Sequence, residues 1–146
     1  MSRYTLGFAL PLAAPPRVIM ASPAPTAAEL ILLRVLWTQG PATVRTIYEQ
    51  AYGGTQTGYT TALKLLQNML AKGLVTRVSE GRGHVYAAAV AERPTLNGLV
   101  RGWIDAAFRG SPTALAMQAL DARPVPREEL AELKALIARL EREQSA

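Results

Sequence analysis

The sequence predicts a mainly α fold: a winged helix-turn-helix of three helices plus a two-stranded β-hairpin wing, followed by a C-terminal helical region. Three observations carry this. Apolar residues recur at helical spacing in three short, sharply bounded stretches between Thr26 and Gly73. Two β-rich runs joined by the glycine turn "EGRG" come next. Three further helical stretches then fill the remainder. The boundaries expected are a disordered N-terminal extension over residues 1–25, the winged helix-turn-helix over 26–92 and the helical domain over 93–146.

Each element has its own start and stop signals. Thr26 opens a capping box, its hydroxyl serving the amide of Glu29 while the Glu29 carboxylate reaches back. The helix from Ala27 to Gln39 puts Leu30, Leu33, Leu36 and Trp37 on one stripe, and Gly40-Pro41 ends it. Thr43 caps a shorter helix in which Val44, Ile47, Tyr48 and Ala51 recur; Tyr52-Gly53-Gly54 stops it and "TQTG" leads onward. The third helix lies in "TGYTTALKLLQNMLAKG", residues 57–73. Ala62, Leu65, Leu66, Met69 and Leu70 form its buried stripe, and Gly73 suits the left-handed position past its end. "LVTRVS" and "HVYAAAV" are the two strands of a hairpin. Pro94 suits a first helical position, from which Leu96, Leu99, Val100, Trp103, Ile104, Ala107 and Phe108 make a wide apolar face up to Gly110. Ser111-Pro112 starts the next helix, which carries Leu115, Met117, Ala119 and Leu120 until "ARPVP" breaks it. The last helix runs from about Arg127 to Glu143, with Leu130, Leu133, Ile137 and Leu140 at a/d spacing.

Composition removes several classes of chemistry. Without cysteine the chain has no disulfide, thiolate metal site or cysteine nucleophile. With His84 as the single histidine, one chain cannot build a multi-histidine metal centre. No cofactor or metal is expected. No apolar stretch reaches the roughly 20 residues that span a bilayer, so no membrane association is expected and the location expected is cytoplasmic. Arg3 and "YTLGFALPLAA" vaguely resemble a signal peptide, but Pro11, Pro15, Pro16 and the later Arg17 interrupt the pattern. A disordered tail, or a start at Met20, accounts for the stretch more simply. The net charge of +5 divides as +2, +2 and +1 over residues 1–25, 26–92 and 93–146, so the placement of charge matters more than its sum.

The polar side of the third helix carries Thr60, Thr61, Lys64, Gln67, Asn68 and Lys72. A solvated face is the plain explanation. Against it, the two preceding helices are short and sharply bounded, as a helix-turn-helix requires. No Asp or Glu occurs between Gln50 and Ser79, whereas an ordinary exposed helix mixes signs. A surface entering a polyanion excludes acidic groups. Gln and Asn pair with adenine, Lys with guanine or phosphate, and a threonine methyl meets thymine. The side chains therefore point to duplex DNA. Arg82, at the glycine-rich hairpin tip, is where a wing meets a backbone phosphate. His84 is either a second wing contact or a strand residue pairing across the hairpin. Arg45 and Tyr59 complete the candidate DNA-binding set.

The stretches "ELILLRVLWTQGPATVRTIYEQ", "GYTTALKLLQNMLAKGLVTR" and "EGRGHVYAAAV" resemble the BlaI/MecI/CopY family of penicillinase-type repressors. The resemblance continues through "FRGSPTALAMQAL" and "REELAELKALIARLE", covering about residues 26 to 143. It implies a homodimeric, ligand-free transcriptional repressor whose winged helix binds a palindromic double-stranded DNA operator. By similarity Tyr59, Thr60, Thr61, Lys64 and Gln67 occupy recognition-helix positions and Arg82 the wing. Asn68 stands where the family commonly has arginine. Members released by a membrane sensor protease carry an Asn-Phe bond, which is matched here by Gln118-Ala119; a sensor protease stays open as a partner, but the bond it is expected to cut is absent. The copper-responsive members' C-terminal cysteine cluster has no counterpart, which excludes copper sensing by that route.

The C-terminal half explains itself as a shared surface. A single winged helix buries roughly 600–1,000 Å² on DNA, too little for a specific operator at physiological salt. Leu99, Trp103 and Phe108, with Leu133, Ile137 and Leu140, are too apolar to be left in water and are expected at a dimer interface. An intrachain core is the alternative. Two other functions compete with repression: a winged-helix protein-interaction module that never meets DNA, and an enzyme relying on Asp105, Asp121 or Glu128. The acid-free helix face and Arg82 argue against the first. No phosphate-binding glycine loop or recognisable partner accompanies the carboxylates, which argues against the second.

Overall fold

A computed structural model describes residues 24–145, so the signal-like stretch and nearly all of the expected N-terminal extension lie outside the described residues. The fold comprises two compact units, the first ending at Leu99 and the second beginning at Val100.

The first unit begins with α1, Ala27–Gln39. The capping box forms as expected: the Glu29 amide donates to the Thr26 hydroxyl at 3.2 Å, and the Thr26 amide donates to Glu29 Oε1 at 2.9 Å. Gly40 ends the helix, its amide donating to the Leu36 carbonyl at 2.8 Å. Leu32 and Val35 are buried beside the expected Leu33 and Leu36, while Leu30 and Trp37 are half-buried. The buried arc is wider than the single stripe because α1 is packed against two later helices and the sheet.

The two residues Ala42–Thr43 form β1, a strand that the sequence does not announce. Thr43 also caps α2, Val44–Tyr52, by accepting from the Thr46 amide at 3.2 Å. Tyr52, expected in the stop signal, is instead the last helical residue and is buried. After the "TQTG" connection comes α3, Tyr59–Lys72, with Ala62, Leu66 and Met69 fully enclosed. Gly73 ends it at φ +82 and ψ 14, the left-handed conformation that glycine adopts without a Cβ penalty.

The hairpin consists of β2, Val75–Glu80, and β3, Gly83–Ala88, joined by Gly81 and Arg82. Gly81 has φ +62, as the first central residue of a type II′ connection requires. The antiparallel sheet has three strands in the order β1-β3-β2, one more than the expected wing, with Ala42 opposite Tyr86 and Val78 opposite Val85. Tyr86, Leu74 and Val75 bring the sheet into the core made by α1, α2 and α3. The Trp37 indole donates to the Val90 carbonyl at 2.9 Å and holds the chain leaving β3 against α1.

One charged contact closes this core. Lys72, read from the sequence as part of the polar side of α3, instead donates to Glu29 Oε1 at 2.6 Å. The Glu29 side chain is 4% exposed and that of Lys72 20%. Forty-three residues separate the pair, so helical spacing alone cannot reveal it.

Helix α4, Glu92–Ala107, starts two residues before Pro94 and crosses from the first unit's sequence into the second's. It ends where the Gly110 amide donates to the Ile104 carbonyl at 2.9 Å. Helix α5, Pro112–Ala122, has the expected Ser111 cap, which accepts from the Ala114 amide at 3.0 Å, and Gln118-Ala119 lies within it. Helix α6 spans Arg127–Ser145. None of α4, α5 and α6 has a buried residue. Among the described residues no helix is long and apolar enough to cross a membrane.

Lys72→Ala is expected to destabilise the first unit by about 2–3 kcal/mol, because it leaves the Glu29 carboxylate enclosed without its cation. Urea unfolding midpoints of the wild type, Lys72→Ala and the Glu29→Gln/Lys72→Ala pair check this. The double variant should recover part of the loss.

Candidate nucleic-acid interface

The burial of one side of α3 decides what its other side presents. With Ala62, Leu66 and Met69 facing the core, Thr60, Thr61, Lys64, Gln67 and Asn68 are all exposed. Among the described residues their side chains make no hydrogen bond or ion pair, so their donors and acceptors are uncommitted. Ala71 extends the same surface as a small, exposed residue. Lys72 leaves it for Glu29, so Lys64 is the cation that α3 itself presents there.

The start of α3 is organised by aromatic residues. Gly58 provides no side-chain cap. Instead the Tyr48 hydroxyl donates to the Thr57 carbonyl at 3.0 Å, bracing the last turn before the helix from α2. The Tyr48 and Tyr59 rings meet edge to face, with centroids 5.6 Å apart and planes at 72°. The Tyr52 ring is also near Tyr48, with centroids 6.4 Å apart, and burial pushes its phenol above the ordinary value of 10.0. Over Tyr59 lies the guanidinium of Arg45, 5.0 Å from the ring centroid. Arg45 and Tyr59, from different helices, are therefore neighbours.

At the hairpin, Arg82 occupies the tip and is exposed. His84 faces Ser79 across the ladder and is also exposed, so it is a pairing strand residue whose ring remains accessible. Glu80, the first acidic residue after Glu49, lies beside the tip and is exposed without an ion pair among the described residues. No cluster of metal-ligating side chains occurs among the described residues.

Sequence reading missed the bracing role of Tyr48, which helical spacing marks only as apolar. Its partner Thr57 lies nine residues on, beyond a glycine turn, and no local signal announces the bond.

The penicillinase repressor family profile matches residues 25–139. The chain belongs to the penicillinase repressor family. A member of this family is a DNA-binding transcriptional repressor, not an enzyme. None of the curated proteins matches the chain. Among solved structures, it is similar to the DNA-binding domain of the repressor BlaI at 22% identity and a TM-score of 0.43, over 46% of this chain and 82% of that one. It is similar also to a probable transcriptional regulator from Pseudomonas aeruginosa, at 25% identity and a TM-score of 0.46, over 79% and 77% of the two chains. The PcaV transcriptional regulator from Streptomyces coelicolor is 18% identical, with a TM-score of 0.44, over 92% of this chain and 88% of its own.

Tyr48→Phe removes the hydroxyl that holds the Thr57 carbonyl and keeps the ring. A loss of about 1 kcal/mol is expected, read as a lowered urea midpoint with an unchanged slope.

Proposed function

We propose that this repressor acts as a homodimer on a palindromic operator, each subunit placing α3 in the major groove and its hairpin on the flanking backbone. The observation that carries the proposal is the outward side of α3: five exposed hydrogen-bonding side chains, uncommitted within the described residues, on a stretch without a carboxylate. Lys64, Gln67 and Asn68 suit base edges or phosphates, and Thr60 and Thr61 suit phosphates or thymine methyls. Arg82, at an exposed hairpin tip, suits a phosphate. His84 is its accessible neighbour on β3.

Support for two copies comes from the C-terminal helices. Trp103 is 54% exposed, Ile137 55% and Leu140 46%. Leu99, Phe108 and Leu133 are half-buried beside them in sequence. Large apolar side chains left exposed on helices that enclose none of their residues are the mark of an interface. A second copy matches it with the same residues, and the resulting two-fold axis corresponds to that of a palindrome. The proposed dimer would work where the operator is, in the cytoplasm.

Lys64→Ala is expected to weaken binding to the duplex upstream of the chain's own gene by about tenfold per subunit. Arg82→Ala should weaken binding to every duplex alike and flatten the slope of log K against log salt by about 0.9 per subunit. Mobility-shift titrations at several salt concentrations check both, and wild-type behaviour in both variants would remove the groove-facing assignment. Light scattering without DNA should give twice the monomer mass at micromolar concentration; a monomer would remove the dimer.

A further inference from the structure

The cluster of Arg45, Tyr59 and Tyr48 assigns Tyr59 a role different from that of its neighbours on α3. We propose that Tyr59 is a positioning residue, whose ring holds the Arg45 guanidinium for a DNA backbone phosphate. This rests on the DNA-binding reading above and adds a division of labour to it.

Two features of Arg45 point this way. Its nearest carboxylate in sequence is Glu49, four residues on along α2, yet no ion pair joins them among the described residues. In this order, with the cation N-terminal to the anion, an i,i+4 pair is the weaker arrangement. The guanidinium lies instead over the Tyr59 ring, with its charge unneutralised and its side chain exposed. An arginine held over an aromatic ring keeps N–H donors free, and those donors are what a phosphate takes.

The features of Tyr59 agree. Arg45 lies over its ring, and that ring and the Tyr48 ring meet edge to face. Tyr48 in turn is tied by its hydroxyl to the Thr57 carbonyl. The Tyr59 ring thus has two protein neighbours, Arg45 and Tyr48, while the residue stays 37% exposed. Its own hydroxyl makes no hydrogen bond among the described residues. The chain of contacts runs from backbone to ring to ring to cation, which limits the side-chain freedom Arg45 would otherwise lose on binding.

The test compares Tyr59→Phe, Tyr59→Leu, Arg45→Ala and the Arg45→Ala/Tyr59→Leu pair with the wild type, on a mixed-sequence duplex across a salt series. Tyr59→Phe should bind as the wild type does, because the ring is retained. Tyr59→Leu should lose about 2- to 5-fold per subunit. Arg45→Ala should flatten the salt slope by about 0.9 per subunit, and Tyr59→Leu should add nothing further in that background. Tyr59→Phe as damaging as Tyr59→Leu would show that the hydroxyl itself meets DNA, and would overturn the positioning role. Additive losses, or an unchanged slope in Arg45→Ala, would overturn it equally. A wild type that shifts no duplex at all would overturn the DNA-binding reading, and this proposal with it.

Discussion

The seal behind α3 is the constraint on which the rest of the first unit depends. Successive helical residues turn by about 100°, so enclosing Ala62, Leu66 and Met69 leaves one freedom fewer: the helix can no longer rotate about its axis. Thr60, Lys64 and Gln67 then face outward whatever their own preferences. A rotation of one residue would carry a polar side chain into the core without a partner and bring an apolar one out. Each such exchange costs more than an exposed hydrogen bond contributes. The outward side is therefore determined by what lies beneath it.

Rotation is one freedom and tilt is another. Tilt is limited at both ends of α3 by polar contacts. At its start, Tyr48 reaches from α2 to the Thr57 carbonyl and packs on Tyr59. At its end, Lys72 meets Glu29. Glu29 is a demanding residue to enclose, since a buried carboxylate is unfavourable unless fully paired. It accepts from its own helix's cap amide and from Lys72, and no buried side-chain polar atom among the described residues is left without a partner. The residue that completes the capping box of α1 is thus also the one that the end of α3 meets. Apolar packing alone is less directional, and a leucine in place of either partner would leave the angle between the two helices less closely defined.

Much of this could be read from the chain, and the exceptions share a cause. The capping box at Thr26, the caps at Thr43 and Ser111, the buried stripe of α3 and the hairpin turn at Gly81 all depend on residues within one or two turns of each other. Local spacing exposes them. Strand β1 contains only Ala42 and Thr43 and exists as a strand because Tyr86 and Val85 lie opposite, so it has no signature of its own. Lys72 looks like one more exposed cation until the chain folds Glu29 beneath it. Tyr48 and Tyr59 belong to different helices, and only the turn at Gly53 and Gly54 brings the rings together. The candidate DNA surface was legible in composition and spacing, while the contacts that orient it were not.

The second unit poses a different physical problem. From Val100 onward its helices have apolar residues at regular spacing yet enclose none of them. Burial of a leucine or isoleucine contributes about 1.5–3 kcal/mol, and that contribution is what offsets the ordering of the backbone. Helices with no enclosed side chain forgo most of it, and most helical stability in proteins comes from tertiary packing of an apolar face rather than from propensity. On the dimer proposal, the surface that stabilises this unit lies outside its own helices. In the proposed dimer a second copy supplies that surface, and the same pairing joins two reading helices into one molecule. The stability of the C-terminal helices and the specificity of the N-terminal ones then depend on the same association equilibrium, so operator occupancy and folding of this unit would rise together with protomer concentration.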